Sequence, residues 1–318
     1  MSFEISIEDR VKYYFGNCSF EDKEPLLDDR IIPDTPFRTD QNFSRIDPNY
    51  QIDIKRYMSY TDKPFWIQWG DCSAWSNYPV LIKVRDVTKD HNDILPVCRK
   101  ETLDFFKQNN LPTKNGAGVI ANLNSRRHWN LCGQIEQYET EWNNKKSNVV
   151  WRGASTGIHD HVKRYNRLNF VETYSSSYDV GFHLLCQGVQ VKDRSLVKQR
   201  LSVPQQLKYK YIVCIIGNDR PSNMNWVLAS NSVPIFAKPR FHSWVCEPWL
   251  KPNVHYVEVK EDFSDFPEKI EWCQAHDKEC EEIAKNGKEF IKQNFTQEKE
   301  IKTEKQLIQL LTSRQNHE

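Results

Sequence analysis

The sequence predicts an α/β fold built on a parallel sheet, and three observations predict it. Residues 211–216, Tyr-Ile-Val-Cys-Ile-Ile, form an apolar, β-branched run of the kind buried on both faces of a sheet. A polar break at 217–223, helical spacing from Met224 to Ala229 and a second short strand from Val233 to Phe236 complete a βαβ unit. Its crossover is expected to be right-handed, with Ser222 or Asn223 as the helix cap. The same order recurs earlier. Val149-Val150-Trp151 reads as a strand, Arg152 to Gly157 as a Gly-containing loop, and the residues through about Glu172 as a helix. Finally, 318 residues are enough for two domains of ordinary size.

Taken in order, residues 1–60 are polar and interrupted by Pro33, Pro36 and Pro48, and are expected to wrap a first domain with short helices and loops. Phe65 to Asp71 is strand-like, and Tyr78 to Arg85 reads as a second strand. A helix is expected over Glu101–Asn109, a strand over Gly116–Asn122 and a short helix over Ile135–Trp142. The run Asn143 to Asn148 is the most linker-like in the chain, which puts the domains at 1–145 and 146–293, with a C-terminal helix in 294–318. In the second domain Ser264 is expected to cap a helix from Pro267 to His276, followed by helices over Lys278–Gln293 and Lys302–Thr312.

With 44 basic and 43 acidic residues mixed along the chain, no concentrated basic face is expected, and therefore no nucleic-acid partner. The 10 Trp, 16 Phe and 13 Tyr supply large core side chains and also suit a sugar-binding surface. Nine scattered cysteines contain no CxxC pair, so reduced thiols and a cytoplasmic location are expected, in a host cell if the source is viral. The first residues lack the apolar core of a signal peptide, and no run reaches membrane-spanning length.

Two helix starts at the carboxyl end of one parallel sheet would offer free N–H groups and two positive dipole ends to a phosphate. The candidates are Gly153, Ala154, Ser155 and Thr156 from one loop and Gly217, Asn218, Asp219, Ser222 and Asn223 from the other. Neither loop matches GxGxxG or GxxxxGK[ST], and either alone also fits an ordinary helix start. Asp93, between a charged turn and Ile94-Leu95-Pro96, suits a general base whose pKa is raised by partial desolvation; a turn former or helix cap fits the same pattern. Asp71 is a second acid candidate. Glu247 is placed to hold a ribose diol or to form a salt bridge. His128 and His255 each adjoin an aromatic residue and fit structural histidines better than metal ligands, and no HxxxH, HExxH or DxD pattern is present.

Several of these segments together resemble glycosyltransferase family 90, which includes protein O-glucosyl/O-xylosyltransferases and fungal capsule xylosyltransferases. They are Trp151-Arg152-Gly153, Lys208 to Tyr211, Gly217 with Ser232, Leu250 to Val259, and Asp262 to Cys273. The resemblance covers about residues 149–293, and more loosely 65–130 through Pro79–Arg85, Asp93–Pro96 and Arg127-His128-Trp129. It implies a GT-B architecture, two Rossmann-like domains facing across a cleft. It also implies metal-independent, inverting transfer of xylose or glucose from a UDP-sugar to a glycan or glycoprotein hydroxyl. By the same resemblance Asp93 is the catalytic base, and Arg152 and the two loops bind the donor. Many animal members carry arginine where this chain has Ser155 and Asn223, and the Gly-Asn-Asp form with Trp226 looks more like the bacterial and large-DNA-virus branch. Loss of one bidentate arginine removes about 1.5–3 kcal/mol. Helix N-termini, or Lys83, Arg85, Arg152 or Arg240, are expected to offset it, with Asp71, Lys83, Arg85 and His128 placed on the acceptor side. The rival expectation is a catalytically silent carbohydrate-binding protein on the same fold.

Overall fold

The computed structural model describes residues 2–22, 24–25, 35–71, 78–87, 118–157 and 167–313. Asp93 and the helix expected over Glu101–Asn109 lie outside them. The chain forms two compact units, one made of Ser2–Arg127, Arg240–Glu247 and Asn294–Glu318, the other of His128–Pro239 and Pro248–Gln293.

In the first unit, α1 (Ile7–Phe15) starts on Ser6, whose hydroxyl accepts from the Asp9 N–H, and ends on Gly16 at φ +62°. β1 (Pro36–Arg38), α2 (Pro48–Met58), β2 (Trp66–Gln68), β3 (Val80–Ile82), β4 (Val84–Asp86) and β5 (Val119–Ile120) follow. The sheet has the order β1-β2-β3-β5; β2, β3 and β5 are parallel and β1 is antiparallel at the edge. The strand expected over Tyr78–Arg85 is two strands with a bend at Lys83. Val80 to Ile82 stay in the main sheet, whereas Val84 to Asp86 leave it to pair antiparallel with a strand at 241–243.

The first strand of the second unit is β6 (Lys146–Ala154), so the polar run expected to be a linker is in part the start of a strand. Lys145 explains this. Its side chain is buried, and Nζ donates to Glu139 Oε1 at 3.1 Å, Ser232 Oγ at 3.0 Å and the Leu207 carbonyl. Three chain segments thereby fix a residue that looks like solvent-facing loop in sequence. The helix expected over Ile135–Trp142 is two tight 3₁₀ turns, Cys132–Tyr138 and Trp142–Asn144. Then come α3, described from Arg167 to Tyr174, β7 (Asp179–Leu184), β8 (Tyr209–Val213), α4 (Met224–Leu228) and β9 (Val233–Ala237). After β10 (Phe241–Ser243), which belongs to the first unit, come β11 (Val257–Val259), α5 (Phe266–Ala275) and α6 (Asp277–Asn294).

The five strands of the second unit are all parallel, in the order β11-β9-β8-β6-β7. This confirms the parallel α/β reading and the βαβ unit β8-α4-β9. The core runs from Val149, Trp151 and Phe182 on the sheet to Ile270, Cys273, Cys280 and Ile283 on α5 and α6. An aromatic cluster of Phe170, Tyr174, Phe263 and Phe266, with ring centroids 4.8–6.3 Å apart, packs beside it. Ser264 does not cap α5; Asp265 takes the cap position and makes no side-chain cap bond. Thr296 caps α7 (Gln297–Thr312), which begins before the expected Lys302 because that hydroxyl accepts from the Lys299 N–H. Among the described residues no helix is long and apolar enough to cross a membrane.

Candidate functional site

In the second unit's sheet β6 comes first along the chain, β7 lies on one side of it and β8 on the other. The winding reverses between β6 and β8, and ligands of such sheets bind at the carboxyl ends of the two strands flanking that point. The loops leaving those ends are the two singled out from the sequence. They meet: a Cβ built on Gly157 would lie 3.0 Å from the Gly217 carbonyl oxygen. The Gly157 N–H donates to Asn218 Oδ1 at 3.1 Å and to Gln187 Oε1 at 3.0 Å, and Gln187 Nε2 donates to the same Asn218 oxygen at 2.9 Å.

The residue that joins the loops most firmly is Arg167, which sequence reasoning missed. Its Nε donates to the Ile216 carbonyl at 3.1 Å and one terminal nitrogen to the Ile215 carbonyl at 2.7 Å. The other donates to the Ala154 carbonyl at 2.9 Å and to Thr156 Oγ1 at 2.8 Å. The guanidinium carbon lies 5.5 Å from the Trp151 ring centroid. Gly217 is glycine because a Cβ there would sit 2.7 Å from Thr156 Oγ1 and 2.8 Å from the Arg167 guanidinium. No local pattern points to Arg167, since its acceptors are spread from 154 to 216.

The other donor candidates separate by what holds them. Ser155 is buried; its hydroxyl donates to the Cys186 carbonyl at 3.0 Å and accepts from the Cys186 N–H at 2.8 Å, tying the first loop to the segment after β7. Asn223 stands at the start of α4 without capping it, because its Nδ2 donates back to the Val213 carbonyl at 2.8 Å. Ser222 is half-buried at the end of the loop. Asp219 and Arg220 are buried, and Arg220 donates to Asn225 Oδ1. Arg152, expected to offset the missing arginines, instead donates to the carboxylate and, at 2.7 Å, the carbonyl of Asp179, which also accepts from the Tyr209 hydroxyl at 2.6 Å. Asp179 opens β7, so Arg152 is drawn toward the amino end of that strand. Gly153 leaves room for its neighbour: a Cβ there would lie 2.3 Å from the Trp151 indole.

His128 belongs to the second unit, where its ring Nδ1 and carbonyl oxygen each lie 3.4 Å from Asn225 Nδ2. Asp71, Lys83, Arg85 and Glu247 belong to the first. Lys83 pairs with Asp71. Arg85 donates to the Tyr14 carbonyl at 2.6 Å, the Gly118 carbonyl at 2.9 Å and the Tyr13 carbonyl at 3.3 Å, so its charge sits at the carboxyl end of α1. Glu247 accepts from the Ser243 N–H at 2.7 Å, the Ser243 hydroxyl at 2.6 Å and the Tyr13 hydroxyl at 3.3 Å. Burial first, and then the Glu247 carboxylate, hold the Tyr13 phenol well above its ordinary pKa, which keeps it a neutral donor. Arg240 pairs with Asp86 at 2.9 Å.

A family model described as glycosyl transferase family 90 matches residues 116–313, which include both loops, Arg167 and the whole five-stranded sheet. The chain belongs to glycosyl transferase family 90. Proteins similar to it include O-glucosyltransferase LpsA of Dichelobacter nodosus, 29% identical over 305 residues, covering 94% of this chain and 80% of that protein. Protein O-glucosyltransferase 2 of Danio rerio is 28% identical over 248 residues, 76% of this chain and 46% of that protein. Uncharacterized protein 035R of Invertebrate iridescent virus 3 is 29% identical over 277 residues, 80% of this chain but 24% of that protein. The chain thus spans less than half the length of the last two. A glycosyltransferase of this family acts on a sugar donor and an acceptor, and these are the partners its site must hold.

Proposed function

We propose that the protein is an inverting glycosyltransferase of GT-B type. It moves glucose, or alternatively xylose, from a UDP-sugar to a hydroxyl of a glycan or glycoprotein. The observation that carries this reading is the joining of two strand-end loops at the switch point of a parallel sheet, where a diphosphate is a natural ligand. Relatives bearing the name O-glucosyltransferase favour glucose over xylose. Thr156 Oγ1 accepts from Arg167 and keeps its own proton to donate, and Ser222 adds a second hydroxyl at the end of the other loop. With the loops' backbone N–H groups these would stabilise the leaving diphosphate without a metal. Asp93, outside the described residues, is proposed as the base that deprotonates the acceptor hydroxyl as it attacks the anomeric carbon.

The test is a screen of nucleotide sugars for UDP release in the presence of candidate acceptors, with and without EDTA, and NMR of the product's anomeric configuration. Turnover of UDP-glucose with inversion, unaffected by EDTA, is expected. Asp93→Asn should abolish transfer and leave UDP affinity within about threefold, because a base contributes to the chemical step and not to donor binding. Wild-type turnover by that variant would remove Asp93 from the mechanism. A wild-type protein that ignores every nucleotide sugar but binds glycan would favour the silent carbohydrate-binding reading.

A further inference from the structure

The carboxyl ends of two neighbouring parallel strands present carbonyl oxygens, an acceptor array that repels an anion. At this switch point the Ala154 carbonyl follows from β6, and the Ile215 and Ile216 carbonyls from the segment after β8. All three accept hydrogen bonds from Arg167, and so does Thr156 Oγ1. We propose that Arg167 is the positioning residue of the diphosphate subsite: it cancels the carbonyl array and holds the two loops in the paired geometry a diphosphate needs. This rests on the donor reading above and supplies the positive charge that the sequence lacks at Ser155 and Asn223.

Three features of the structure fit that role. The guanidinium is braced against the Trp151 ring, itself buried, so the charge is fixed in place. With the guanidinium and Thr156 where they are, position 217 has no room for a Cβ. His183, near the carboxyl end of β7, has its pKa lowered first by burial and then by positive charges that include Arg167, as a cation held beside this part of the sheet requires. A lysine at 167 would keep the charge but could not reach four acceptors, because its ammonium is a point donor and not a planar fork.

The experiment titrates UDP and uridine into the wild-type chain, Arg167→Lys and Arg167→Met by calorimetry, and compares donor KM and kcat. Arg167→Met is expected to weaken UDP by about tenfold or more and uridine by less than about threefold, because removing the charge that cancels the carbonyl array penalises the anionic phosphates and not the nucleoside. Its donor KM should rise more than its kcat falls, and Arg167→Lys should recover part of the UDP affinity. Should Arg167→Met fail to fold, Gly217→Ala, which pushes the guanidinium aside while retaining it, is expected to show the same selective loss of UDP. Equal losses for UDP and uridine, or no loss of UDP, would overturn the role of Arg167. A wild-type chain that binds no UDP would instead overturn the donor reading itself.

Discussion

Arg152 and Arg167 show why residue roles were only half legible. Arg152 sits in a recognisable Trp-Arg-Gly motif, yet its guanidinium is engaged by Asp179; Arg167 sits in no motif and joins both loops. A motif marks backbone geometry well, as Gly153 beside the Trp151 indole and Gly217 against Arg167 show. It does not reveal which long side chain reaches across from elsewhere. Glu247 gives the sharpest test at this scale. Its carboxylate accepts from the Ser243 N–H and hydroxyl and from Tyr13 while only 2% of the residue is exposed, which is the pattern of a turn-stabilising acceptor. Glu247→Ala should therefore destabilise the protein by about 1–3 kcal/mol, the cost of leaving buried donors unmatched, and change UDP affinity by less than about twofold. A tenfold loss of UDP affinity at unchanged melting temperature would instead support the ribose role.

Elements were more legible than side chains because apolar periodicity is a local signal. Strands β6, β8 and β9 and helices α4, α5 and α6 fall where the pattern puts them, give or take a few residues, whereas β7 and β11 are not among the expected strands. The misreadings occur where a tertiary contact decides: Lys145 is buried by three segments, and the chain bends at Lys83 to change sheets. The segment from Leu250 into β11 carries a pH-sensitive contact of the same kind. The Lys251 N–H donates to His255 Nδ1 at 2.9 Å, and the ring packs 5.2 Å from Phe290 on α6, so the imidazole must be neutral to accept. Burial first, and then the Lys251 charge, lower its pKa from 6.5 to about 4. The unfolded chain therefore takes up this proton first, so the contact's stability is intact above about pH 6.5 and is lost as pH falls toward 4. His255→Asn, which retains an acceptor, should flatten the wild-type loss between pH 6.5 and 4.5 by roughly 2 kcal/mol, read from urea midpoints. Parallel wild-type and variant curves would show that His255 does not carry the slope.

On the scale of the whole molecule, the chain passes between its two units after Arg127, Pro239, Glu247 and Gln293, so neither unit is one continuous segment. Pro239 and Pro248 stand at two of these crossings, but a proline in a loop is too common to mark one. The last crossing delivers the closing piece of the first unit. Asn294 Oδ1 accepts from the Ile5 N–H at 2.7 Å, and the Asn294 carbonyl accepts from Arg10 at 2.9 Å. On α7, Glu300 pairs with the fully buried Arg10, Glu304 pairs with Arg56 at 2.9 Å, and Leu307, Ile308 and Leu311 are buried. A chain ending at Gln293 would strand the Arg10 charge, a loss of about 3–5 kcal/mol before the missing apolar burial is counted. The first unit should then melt, and sugar transfer should disappear with it. The second unit retains all five parallel strands, both loops and Arg167, so calorimetry should find UDP affinity within about threefold of the full chain, because the groups proposed to bind it are untouched. If UDP binding vanished from a truncated chain whose second unit still melts cooperatively, the paired loops would not suffice as a donor site, and the anchor for the nucleotide would have to be sought among residues 2–127, 240–247 or 294–313.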